Sequence, residues 1–480
     1  MKKVLSVILA VFTAIAVTAC SENTTSVTSG TSNKESNTTS STDSSSETSQ
    51  NIVTEALAEN TPNKVDDTLP QCQPANILSY YADNVMKSDS GYYYYDFWQD
   101  DYGDTSSGVV FYDNATGKTI PLCSKPQCPH DGNAFCTSTS FNSDFNFLYN
   151  DYIYRLSSIR GGENENKLTL MRTDLQGNEL SLVSDIITNV GAYIGVCSVV
   201  AHYGKMIFVL ESQGINGGNR TPYILDLASG NVKEIYIPAP EGKIKRWQPH
   251  ALNYLTCDGD WLYYTIREVT LKSDKYGFVE NNYDYDRTAM FRYNLKSGKT
   301  ETVSAMPDMY SSFTVNEGII YYTVADRRNN TFSLYAYDTE KNVTTTLAQN
   351  IQQKCVDGKC VGQANKVTVM TDRKYLYICT SGERRRNDHT ASDDDIDFYV
   401  YDFNGKELVH GLPGTAPDLT AGEWEYYFYA LDGEIYVRFT DDVPLTDSGE
   451  KENLSGMYTI KTEDLINGGT EWTKLYKATN

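Results

Sequence analysis

The stretch "NEGIIYYTVADRRNNTFSLYAYDTEKN", Asn316 to Asn342, carries the pattern that decides the fold. It reads as a tight turn, a strand rich in Ile and Tyr, a polar connection, a second strand ending near Tyr337, and a short turn of Asp, Glu and Asn. Short aromatic and β-branched strands separated by turn signals point to an all-β fold. The opening turn and strand recur as "SDSGYYYY", "YNDYIYRL", "HYGKMIFV", "CDGDWLYY", "TDRKYLYI" and "LDGEIYVR". With "NEGIIYYT" they start near residues 88, 149, 202, 257, 316, 371 and 431, a period of about 53 to 61 residues. The closing turn recurs too, as "YDNATGK", "TDLQGNE", "LDLASGN", "YNLKSGK", "YDTEKN" and "YDFNGKE", and more loosely as "KTEDLINGG". A further strand precedes each opening turn. Four strands per unit and seven units predict a seven-bladed β-propeller of four-stranded blades.

Each unit places an aromatic three or four residues beyond its opening turn: Tyr94, Tyr154, Phe208, Tyr263, Tyr321, Tyr377 and Tyr436. A residue repeated in every blade is expected to pack between neighbouring blades rather than to bind ligand. The phrases "DGDWLYYT" and "GIIYYTVADRRNNTFSLYAYDTE" resemble the repeats of low-density-lipoprotein-receptor-type propellers and of bacterial TolB-like propellers. The resemblance covers about Cys72 to the C-terminus. It implies the fold and leaves the function open.

The N-terminus, "MKKVLSVILAVFTAIAVTAC", has Lys2 and Lys3 followed by an apolar run to Ala19, shorter than the roughly 20 residues of a spanning helix. That order predicts a signal peptide over residues 1–20. Its end, Val17 to Cys20, resembles the lipobox of bacterial lipoproteins, which implies lipid attachment at Cys20. Nineteen of the thirty residues from Ser21 to Gln50 are Ser or Thr. Such a segment buries too little apolar area to order itself, so residues 21–70 read as a flexible linker and 71–480 as the propeller domain. The expected location is the extracellular face of the cell membrane of a Gram-positive bacterium, held there by the lipid anchor. Formal charge is −22, which argues against nucleic acid as a partner.

In a propeller the B–C connections and the links between blades share one face, and the A–B and C–D turns share the other. Here the B–C segments are long and unlike one another: residues 96–107, 267–287, 381–397 and 440–455. Variable insertions on one face mark an expected binding face. They carry the ligand-binding candidates Trp98, Tyr102, Tyr276, Tyr283 and Tyr285, suited to the apolar faces and polar edges of a glycan or a peptide. Asp393, Asp394, Asp395 and Asp397 lack the alternation and glycine of a calcium loop and read as a solvated loop balanced by Arg384, Arg385 and Arg386.

No nucleophile elbow, phosphate loop or His-Glu metalloprotease pair is present, and no cofactor is expected. His202 in an A–B turn and His389 in an insertion do not suggest a shared histidine site. The expected function is a non-catalytic binding module, with an extracellular carbohydrate-active hydrolase or lyase as the alternative. "CVDGKC" predicts a hairpin placing Cys355 opposite Cys360, within disulfide reach. Cys197, Cys257 and Cys379 lie in strand patterns, as inert thiols. Cys72, Cys123, Cys128 and Cys136 are expected to converge on the insertion face as two disulfides, the bonding usual outside the cell. The rival is a Cys₃His zinc site from Cys123, Cys128, His130 and Cys136, in which the single residue between Cys128 and His130 is tight for two ligands.

Overall fold

The computed structural model describes residues 66–72, 85–99, 105–128, 130, 136–138, 145–159, 167–187, 193–212, 219–235, 252–271, 283–306, 312–326, 329, 331–352, 355–356, 359–360, 367–381, 396–411, 427–444 and 451–477. It contains seven four-stranded antiparallel sheets, the blades of a β-propeller, spanning residues 86–121, 145–187, 193–234, 252–306, 313–352, 367–410 and 427–477. Within each blade the four strands A to D are consecutive in sequence and pair in order. The A strands neighbour one another around the axis from blade 1 to blade 7. A two-stranded hairpin sets Cys355 opposite Cys360 in the expected register. Among the described residues no helix is long and apolar enough to cross a membrane.

The A–B turns explain the turn signals. Tyr203–Gly204, Glu317–Gly318 and Asp432–Gly433 all have positive φ at both positions, as do Asn150 and Asp151. This is the backbone of a type I′ hairpin, whose twist matches the strands it joins. The glycine N–H of three such turns reaches back to the previous blade. Gly204 donates to Tyr149 Oη (2.7 Å), Gly318 to Asp258 Oδ2 (2.7 Å) and Gly433 to Asp372 Oδ2 (2.9 Å). The C–D turns are held differently. Asp113, Asp174, Asp226, Asn294, Asp338 and Asp402 each accept the N–H two residues on, which makes them Asx-turns. In blade 7 a short helix, Thr462–Ile466, replaces this turn.

All seven repeated aromatics are buried, at 3% exposure or less. Tyr154, Tyr263, Tyr321, Tyr377 and Tyr436 pack against the following blade. Tyr94 and Phe208 instead face the preceding blade, while Tyr93 and Ile207 occupy the equivalent position. They lie one residue further from their turns, and side chains alternate faces along a strand. Each such ring contributes roughly 1.5–3 kcal/mol through burial.

Among the described residues no strand is exchanged between the first and last blades, and side chains join them. Tyr92, Tyr94 and Val110 of blade 1 pack on Tyr436, Met457 and Leu475 of blade 7. At the axial end of this seam, buried Glu434 accepts hydrogen bonds at Oε2 from Tyr92 Oη (2.9 Å) and Tyr436 Oη (2.5 Å). Its Oε1 lies 3.1 Å from Lys87 Nζ.

Candidate functional site

Residues 66–72 lie across the face made by the A–B and C–D turns. Pro70 O accepts from Tyr203 N–H (3.0 Å) and from Tyr149 Oη (2.7 Å), and Gln71 Oε1 accepts from Gly259 N–H (3.3 Å). Asp67 pairs with Lys296 (3.1 Å). These partners belong to turns of blades 2, 3 and 4, or to the strand end beside one. Above this seat lies a cavity of about 440 Å³ lined by A-strand residues of blades 1, 2, 3, 4 and 7. Its wall mixes Val85, Val199 and Leu255 with Lys87, Asn146 and Asp151, so it presents both apolar surface and polar groups.

Cys72 ends the seat in a buried polar cluster. Its N–H donates to His202 Nδ1 (2.9 Å), its Sγ to Cys257 O (3.2 Å), and its carbonyl accepts from Arg373 Nη2 (3.2 Å). Arg373 Nη1 in turn donates to Asp258 Oδ1 (3.0 Å). Because Nδ1 accepts from a backbone N–H, Nε2 of His202 carries the proton and donates it to Gly259 O (2.7 Å). Cys72, His202 and Cys257 lie close enough to hold a metal, yet both imidazole nitrogens are committed to the backbone. The cluster is a structural knot. His202 thus joins partners 130 and 57 residues away, which its place in an A–B turn did not announce. The neighbouring Cys257, then His202 and Arg373, pull the Cys72 thiol below its ordinary value against burial, and burial pushes the Cys257 thiol up.

Cys123, Cys128, His130 and Cys136 form a second cluster, with ligand atoms all within 4.8 Å of one another. Cys72 is not among them, so the four cysteines do not converge, and none of the four is in a disulfide. The segment also does not reach the insertion face by continuing strand D of blade 1. That strand, Lys118–Pro121, stops halfway along its partner, and Ser138 O then accepts from Val109 N–H (3.2 Å) further along the same partner strand. After Leu122 the chain thus leaves the blade edge in an excursion whose described start turns toward the C–D turn of blade 2, Ser124 N–H donating to Gly177 O (3.2 Å). Thr137 Oγ1 closes its neck, donating toward Leu122 O and Gly177 O at 2.8 Å each. Gly177 has φ +69, and a Cβ there would lie 2.7 Å from Leu122 O. Burial pushes the Cys128 thiol up to about 11, and the neighbouring Cys136 and Cys123 add to it against the His130 N–H. Arg155 is buried nearby, donating from Nη1 to Ser138 O (3.1 Å). Burial lowers its guanidinium to about 10, against the opposing effect of Cys136.

The expected binding loops are partly strand. Blade 4 extends its hairpin through Trp261–Leu271 and Tyr283–Asn294, pairing Leu271 with Tyr283 and Val269 with Tyr285. Blade 7 likewise pairs Pro444 with Lys451. The polar composition of these stretches signalled loop, and cross-strand pairing overrides it. Trp98 lies opposite Ser106 in blade 1. The side chains of Trp98, Tyr283 and Tyr285, and all of Tyr102, Tyr276, His389 and Asp393 to Asp395, lie outside the described residues.

No family model matches this sequence. No curated protein matches it. Among solved structures it is similar to the β-propeller domain of the Trilobed protease from Pyrococcus furiosus, at 11% identity over 82% of this chain and 97% of that one, TM-score 0.43. It is also similar to Porphyromonas gingivalis dipeptidyl peptidase 4, at 12% identity over 82% of this chain, TM-score 0.40. The chain covers 52% of that peptidase, about half its length. TolB from Acinetobacter baumannii matches at 12% identity over 79% of this chain and 76% of that one, TM-score 0.31. The fold itself rests on the strand pairing described above.

Proposed function

We propose that the chain is a lipid-anchored protein of the extracellular face of a bacterial cell membrane, in a Gram-positive organism, and that its propeller is a non-catalytic binding module for a glycan or peptide. In this reading Cys20 carries the lipid and the Ser/Thr-rich residues after it form the tether. The observation that carries it is the seat of residues 66–72 on the short-turn face. A tether arriving there leaves the long, variable hairpins on the opposite side, turned away from the membrane and open to ligand.

Two experiments test the two halves of this reading. Cys20→Ala is expected to move most of the protein out of the membrane fraction or to block its processing. A variant that stays membrane-bound and normally processed rejects the anchor. The propeller domain on a glycan and peptide array is expected to bind without turnover. Release of shortened oligosaccharide from a bound glycan would instead establish a hydrolase or lyase.

A further inference from the structure

The geometry points to a structural zinc site formed by Cys123, Cys128, His130 and Cys136, which fastens the excursion of blade 1 against blade 2. The four ligand atoms lie within 4.8 Å of one another. His130 Nδ1 and Cys136 Sγ are 3.3 Å apart, against roughly 3.6 Å between nitrogen and sulfur ligands on one tetrahedral zinc. The objection from spacing, one residue between Cys128 and His130, is met by the backbone. Gln127 and His130 both adopt left-handed conformations, with φ 64 and 53, uncommon for a glutamine and better tolerated by a histidine. They fold the chain back so that neighbours in sequence face one centre. Strain of this kind persists where the surroundings fix it, and a bound cation supplies that.

The charge also fits. Zinc with three thiolates and a neutral imidazole carries a net charge of −1, and the buried guanidinium of Arg155 sits beside it, held on Ser138 O two residues after Cys136. All four positions are filled by protein, which is the closed sphere of a structural site rather than the open one of a catalytic site. Its place at the neck of the excursion suits that role. Cys123 and Cys136 flank the Leu122–Thr137 closure, so one ion locks both ends together. Three thiols and one imidazole leave an odd cysteine under any disulfide pairing, whereas a single zinc uses all four groups.

The test uses the full-length protein without an affinity tag, purified without chelators. Elemental analysis is expected to find one zinc per chain, falling to none in Cys128→Ser and unchanged in Cys257→Ser at the other thiol cluster. Cobalt added to the metal-stripped wild type is expected to give the visible absorption of a tetrahedral, thiolate-rich centre. That readout does not depend on whether a variant folds. Failure of the wild type to take up cobalt, a disulfide among Cys123, Cys128 and Cys136 in freshly isolated protein, or zinc kept in Cys128→Ser and lost in Cys257→Ser would each overturn the site.

Discussion

Glu434→Ala is expected to destabilise the propeller by about 3–5 kcal/mol, the usual cost of removing one partner from a buried ionic cluster. The change strips Tyr92, Tyr436 and Lys87 of their shared acceptor at the seam between blades 7 and 1. Among the described residues no exchanged strand backs up that seam. Glu434→Gln keeps the volume and one acceptor and should cost less. The pH dependence has a definite sign. Burial alone would raise the Glu434 carboxyl, but the Tyr436 hydroxyl, the Lys87 charge and the Tyr92 hydroxyl outweigh it and hold it below the ordinary 4.5. A depressed carboxylate contributes stability above its unfolded value and loses it as pH falls through the folded one. Urea midpoints of the wild type should therefore drop on acidification below about pH 4.5 more steeply than those of Glu434→Gln. Equal midpoints for wild type and Glu434→Ala at neutral pH would rule out this account of the seam.

His202→Ala is expected to cost about 2–4 kcal/mol, because it leaves the buried Cys72 N–H without its acceptor, frees Gly259 O and opens a gap beneath them. The effect should also be local. Residues 66–72 lose their inner hold and become cleavable by protease at concentrations that leave the wild type intact. His202→Gln, whose amide offers one acceptor and one donor, should recover part of both effects. Limited proteolysis with mass detection, alongside urea unfolding, checks the pair. Unchanged protection in His202→Ala would remove His202 from this role.

The blade count was legible because the A–B turn and its following strand repeat the same physical problem seven times. A tight A–B turn, type I′ in blades 2, 3, 5 and 7, calls for residues that tolerate positive φ, and a strand between two blades calls for apolar and aromatic residues on both faces. "LDGEIYVR" and "NEGIIYYT" state both demands within eight residues. The hairpin at Cys355 to Cys360 was legible for the same local reason. Long-range placements were not. Cys72 meets a histidine 130 residues later and a carbonyl 185 residues later, and no local pattern encodes that meeting. The early end of strand D at Pro121 was equally hidden, since the following Leu122 continues the apolar pattern. That break moved three cysteines from the expected face to the blade edge. For the long hairpins of blades 4 and 7, charged and polar residues masked strands that pairing sustains.

The seat of residues 66–72 also fixes how the molecule bears tension. Among the described residues, a pull on Asp66 acts on no free sheet edge that could be peeled one hydrogen bond at a time. It meets Tyr149 of blade 2, Tyr203 and His202 of blade 3, Gly259 of blade 4 and Arg373 of blade 6 together, close to the axis. Bonds loaded in parallel share the force. In the anchored state proposed above, such a hold spreads the load round the hub rather than concentrating it on the seam at Glu434.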